Sequence, residues 1–126
     1  MLKKITVIAS ILASASAFAI PDGFTYLTST EDMNIYYGSV LSKDGRDAFI
    51  STHEVYKDQS TVAETSTISE VDCSNPQVRT ISRIIYFSDG KHISTDRSTP
   101  PGQWKYAGQG TAGARLYEKV CGKYPK

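Results

Sequence analysis

At 126 residues, with 14 Lys+Arg against 13 Asp+Glu and a formal net charge of +1, the chain has no general basic field for nucleic acid or an anionic membrane. Its length allows one modest hydrophobic core and not two, so a single domain is expected.

The opening "MLKK" is basic, "ITVIASILASASAF" is apolar and rich in small residues, and "AFA" before Ile20 sets small side chains where a signal peptidase reads. Residues 1–19 are therefore predicted to be a secretory signal peptide, leaving 20–126 as one mature domain. A membrane anchor fits less well, because the apolar run ends at Ala19 or Ile20 before "PDG", short of the roughly 20 apolar residues that span a bilayer. Loss of Lys3 and Lys4 with the signal leaves 12 basic against 13 acidic residues, a net charge of −1. No cysteine follows the cleavage point to accept a lipid. The mature chain is expected to be soluble, in the periplasm, at the cell surface or secreted, with no integral membrane segment.

The first mature elements read as strands. "FTYLTST" (24–30) and "DMNIYYGS" (32–39) are aromatic and β-branched, and "SKDGR" (42–46) is a glycine-containing turn that joins neighbouring strands. "DAFISTHEVYK" (47–57) alternates, with Phe49, Ser51, His53 and Val55 on one side and Ala48, Ile50, Thr52, Glu54 and Tyr56 on the other. "TVAETSTISEVDC" (61–73), rich in Thr, Ser and Val, reads as a strand with a polar solvent side. "QVRTISRIIYFSDG" (77–90) begins the longest strand, predicted to cross the sheet's centre, with Arg79, Ile81, Arg83, Ile85 and Phe87 on one face. Residues 92–110 carry two prolines, three glycines and Trp104, and predict an irregular segment with a short anchoring piece near 104–106.

The period then changes. In "TAGARLYEKVCG" (111–122), Ala112, Leu116 and Val120 fall four apart beside a second stripe of Tyr117 and Cys121, which predicts a helix capped by Thr111 and ended by Gly122. The fold expected is α+β: one antiparallel sheet of about five or six strands with a C-terminal helix packed on it.

Cys73 and Cys121 are the only cysteines. In an exported chain they are expected to pair, since no C-x-x-C is present and neither histidine lies near a cysteine to build a soft-metal site. Neither a metal nor a cofactor is expected. "KDGRD" lacks the carboxylate spacing of an EF-hand loop. No serine sits in a G-x-S-x-G setting, and His53 and His92 read as hydrogen-bonded or solvent-facing side chains. The chain is therefore expected not to be an enzyme. A small hydrolase would need a concave site uniting His53 or His92 with an acidic or nucleophilic side chain. Arg79 and Arg83 on one strand face suggest a local anion or partner site. The eight tyrosines, Tyr26, Tyr36, Tyr37, Tyr56, Tyr86, Tyr106, Tyr117 and Tyr124, supply core mass and contact surface, with core packing expected for most.

The export signal, "IYYGSVLSKDG", "VDC" leading into "RTISRIIYFSDGK", the late tryptophan and the final "LYEKVC" together resemble the surface-adhesin protein E family of Gram-negative bacteria, over roughly residues 24–122. The resemblance implies a small antiparallel sheet with a C-terminal helix tied back by the Cys73–Cys121 bridge. It also implies surface binding of host matrix and serum proteins such as laminin and vitronectin, partly through a basic stretch before the first cysteine. Here that stretch, residues 60–73, has no Lys or Arg and carries Glu64, Glu70 and Asp72. The expected function is a non-catalytic, protein-binding or adhesin-like role in the periplasm or at the cell surface. Arg79, Arg83, Tyr36, Tyr37 and Trp104 are the candidate contacts. A homodimer through a sheet edge or aromatic patch is a further expectation, and the runner-up is an envelope-accessory protein without a discrete ligand.

Overall fold

The computed structural model describes residues 20–44, 47–95 and 101–123. The predicted signal peptide and Tyr124 lie outside them. The elements are β1 (Thr25–Ser29), β2 (Met33–Asp44), β3 (Asp47–Tyr56), β4 (Val62–Asp72), β5 (Gln77–Phe87), β6 (His92–Thr95), β7 (Lys105–Tyr106) and helix α1 (Ala112–Cys121). The strands form one antiparallel sheet in the order β1-β2-β3-β4-β5-β6, and β7 pairs with the part of β5 that β6 leaves free. The expected α+β architecture is thus present, with seven strands in place of five or six.

α1 forms where the apolar period changes to four. The Thr111 hydroxyl accepts from the Ala114 N–H at 3.2 Å, and the Gly122 N–H donates to the Glu118 carbonyl at 3.0 Å from a φ of 95° that favours glycine. The helix buries Ala114, Leu116 and Tyr117. Gly113 earns its place by proximity: a Cβ there would stand 3.3 Å from the Cβ of Ala107. Leu116 and Tyr117 join Leu27, Ile50 and Val71 in the core, with Ile35, Tyr37, Val78 and Val120 packed against it. The helix touches β1, β3 and β5, strands spread over five positions of the sheet, so the sheet curls around it. Cys73, just past β4, is bonded to Cys121 at the helix end, with Cα atoms 5.4 Å apart. The Tyr117 hydroxyl donates to the Cys73 carbonyl at 2.7 Å beside that bridge.

Several expectations change. β2 continues to Asp44, because two register irregularities after Tyr37 let it stay paired with β3 to the end, so most of "SKDGR" is strand. His92 begins β6 and lies opposite Tyr86, not in a loop. β4 has no polar solvent side: Glu64, Thr65, Thr67, Ser69, Glu70 and Asp72 are all buried, because β3 and β4 occupy the sheet's centre and both faces are covered. β5 is only half-buried along its length and flanks the centre instead of crossing it. Among the described tyrosines Tyr117 alone is buried, whereas Tyr26 and Tyr106 are 53% and 75% exposed.

The largest consequence comes from one extra residue in β5. Ile68 pairs with Ser82 while Ser69 pairs with Thr80, so Ile81 bulges and the alternation inverts across it. Arg83 sits opposite Thr67, and Arg79 opposite Glu70, three residues along an unbroken β4. The two arginines therefore point to opposite faces. The single-face site expected from their spacing does not exist.

Candidate functional site

Cross-strand register assembles three groups of functional side chains. On the sheet face away from α1, Tyr26, Tyr36, His53, Ser66, Ile84 and Ser94 form one row across six strands. His53 is 4% exposed, its Nε2 is bonded to Glu64 Oε1, and its Nδ1 stands 2.9 Å from Ser66 Oγ. Phe24 meets the imidazole edge-on with ring centres 6.1 Å apart, and it closes over Gly38, where a Cβ would come within 3.1 Å of the phenyl ring. A cavity of about 390 Å³ opens beside this row, lined by Pro21, His53, Glu64, Ser66, Tyr86 and Phe87 among others. Histidine, acid and hydroxyl are thus united, which the sequence alone did not show.

The second group lies at the other end of the same face. Glu70 takes Arg79 Nε and Nη2, each at 2.7 Å, and the Arg79 guanidinium stacks 4.4 Å from the Trp104 ring centre. Burial pushes the Glu70 carboxyl above its ordinary range, and a hydrogen bond with Asp47 adds to this while Arg79 opposes it. Trp104 and Tyr106 are two apart on the segment that pairs with the start of β5, so both rings project on the Arg79 side. Tyr106, named among the tyrosines but not among the candidate contacts, could have been added from its alternation with Trp104.

The third group is on the helix face. Tyr37, Thr52, Thr67 and Arg83 share one row, and Ile35, Glu54, Thr65 and Ile85 the next. Glu54 Oε1 accepts from the Thr65 and Thr67 hydroxyls at 2.5 and 2.8 Å, and Arg83 Nε donates to Thr67 Oγ1 at 3.1 Å. Ile35, Thr52, Glu54, Thr67 and Arg83, together with Arg79 and Lys105, line a cavity of about 530 Å³ beside the core.

Of the five candidate contacts, Arg79 and Trp104 stack on one another, and Arg79 and Arg83 both line the helix-face cavity. Tyr36 shares the face of the Arg79 and Trp104 stack but stands on β2, three strands from β5, with its ring 5.8 Å from that of Tyr26. Tyr37 and Arg83 are on the helix side, Tyr37 beneath the Lys119 ammonium. Among the described residues no group of three His, Cys, Asp or Glu side chains could hold a metal ion. No helix among them is long and apolar enough to cross a membrane.

The family model described as Surface-adhesin protein E matches residues 24–122, most of the chain. No curated protein and no solved structure matches the sequence. Running from the residue before β1 to the glycine that ends the disulfide-tied helix, the match shows that this chain belongs to the surface-adhesin protein E family.

Proposed function

We propose that residues 20–126, freed of a signal peptide at 1–19, act as a single-domain, non-catalytic binding protein of the periplasm or cell surface. They would hold a protein partner through the Arg79, Trp104 and Tyr106 cluster. Family membership is the observation that carries the reading. The cluster suits it physically, because Trp, Tyr and Arg dominate binding energy where they stand together and are held rigid, and the Glu70 pair fixes Arg79. A partner contact of this kind depends on shape and aromatic area, in place of the cationic stretch this chain lacks. β6, exposed along its whole length with Ile93 at 59%, offers an edge for the homodimer expected from the sequence.

The test is size-exclusion chromatography with light scattering on residues 20–126, alone and with envelope extract, together with biolayer measurements on immobilised laminin and vitronectin. Saturable binding to a protein partner is expected, little changed by salt and weakened about tenfold or more by Trp104→Ala. A monomer that retains nothing in any arm would overturn the reading in favour of an envelope-accessory role without a ligand.

A second reading has its own observation. Ser66, His53 and Glu64 have the connectivity of an acyl-transfer relay beside a cavity. Against it, β4 is paired on both sides, so the N–H groups flanking Ser66 are engaged in the ladders and offer no oxyanion hole. Covalent labelling of Ser66 by a fluorophosphonate probe would establish a hydrolase, and an unlabelled serine would leave the row structural.

A further inference from the structure

The helix-face cavity poses a separate question: why do a carboxylate and a guanidinium stand side by side there without meeting? Glu54 is 8% exposed, and its Oε1 takes both threonine hydroxyls. Its Oε2 receives no donor from the described residues. Yet among the described residues no buried side-chain oxygen or nitrogen lacks a partner, so Oε2 is not sealed in. The ion pairs among the described residues are His53–Glu64 and Arg79–Glu70, so Glu54 makes no direct ion pair with a described cation, and Arg83 stands on the far side of the Thr67 hydroxyl. Arg83 likewise makes no ion pair with a described carboxylate, and among the described residues its guanidinium is anchored at Nε, which leaves the outer edge of its fork for a ligand.

Thr67 is what keeps the two charges apart and in order. Its single hydroxyl proton goes to Glu54 while its lone pair accepts from Arg83, placing the acid and base on either side of one oxygen. Each then presents an unused charged edge to the same cavity. Two adjacent, opposite charges are best completed by a ligand that carries the complementary pair on neighbouring atoms, because a ligand without the ammonium leaves the buried Glu54 carboxylate unpaired and one without the carboxylate leaves the Arg83 fork unused. Leu27, Met33, Ile35 and Leu116 line the apolar part of the space and suit an aliphatic chain, while Lys105 and Arg79, the latter paired with Glu70, add to its cationic side. The volume of about 530 Å³ lies within the range of small-molecule sites.

We infer that this cavity binds a free α-amino acid with an apolar side chain. The ammonium sits on Glu54 Oε2, the carboxylate on the Arg83 fork, and the side chain against Leu27, Met33, Ile35 and Leu116. Arg79, paired with Glu70, also lines this cavity, but binding of the amino acid does not depend on a protein partner.

The test is a two-dimensional amide NMR titration of residues 20–126 with L-leucine, isopentylamine and 4-methylpentanoate. The two analogues lack the carboxylate and the ammonium, respectively. Leucine is expected to shift the Thr52, Thr67 and Arg83 amides saturably, and each analogue to bind at least about tenfold more weakly. Arg83→Gln, at an exposed position, is expected to cost a similar factor for leucine, and Glu54→Gln likewise. Should Glu54→Gln fail to fold, Arg83→Gln and the analogues on the unmodified protein decide. No saturable shift with leucine, or an analogue binding as tightly as leucine, would overturn the inference.

Discussion

Asp72 shows how local bonds override burial. Burial at the end of β4 would raise its pKa, but the Gln77 amide, the Ser74 hydroxyl and the N–H groups of Ser74 and Asn75 outweigh that and hold the carboxyl at about 2. Because the folded value lies below the ordinary 3.8, this stabilisation is complete above that pH and is lost as pH falls toward 2. Asp72→Asn should therefore cost about 1–2 kcal/mol at neutral pH and flatten the acid limb of a plot of Tm against pH. Glu70 works with the opposite sign. Its raised pKa means that stability present below 4.5 is lost as pH rises through the folded value, so Glu70→Gln should flatten the limb above 4.5 and leave the acid limb alone. Thermal melts of the two variants across pH check both statements, and parallel curves would refute them.

Among the elements, α1 depends most on its ends. It has ten residues, too few to be stable alone, and no acidic residue in its first turn to favour the dipole. The Thr111 cap and the packed face of Leu116 and Tyr117 must compensate. Thr111→Ala is expected to lower unfolding stability by about 1 kcal/mol, read by urea titration, whereas Thr111→Ser should be nearly silent. β5 is the element that redirects function. Its bulge at Ile81 turns Arg79 to the Trp104 side of the sheet and Arg83 to the helix face.

For the molecule as a whole, the Cys73–Cys121 bridge joins the central strand to the last helix across a separation of 48 residues. Closing a loop of that size restricts the unfolded chain by about 4 kcal/mol in the loop-entropy account. For a small single core this is a large share of total stability. Reduction, or the Cys73→Ser/Cys121→Ser double variant, should lower Tm markedly. The peptides containing Cys73 and Cys121 should be linked in mass spectra of the oxidised protein and separate after reduction. An unchanged Tm would mean that helix packing alone holds the C-terminus.

The sequence by itself determined the main strands up to β5, the C-terminal helix with its caps and the cysteine pair, but not β6 or the full length of β2. Alternation, a change of period, Thr111 and Gly122 are local features, and local sterics and hydrogen bonding act on them directly. The tertiary structure alone decided which face each side chain of β5 occupies, because a bulge is a mismatch between two strands and leaves no mark on the period of either one. It also decided that the polar side chains of β4 are buried. Ser, Thr and Glu there read as solvent-facing until register sets Glu64 against His53, Thr67 between Glu54 and Arg83, and Glu70 against Arg79. Polar groups can be buried once a partner is in place, and those partners come from strands up to 16 residues away in the chain.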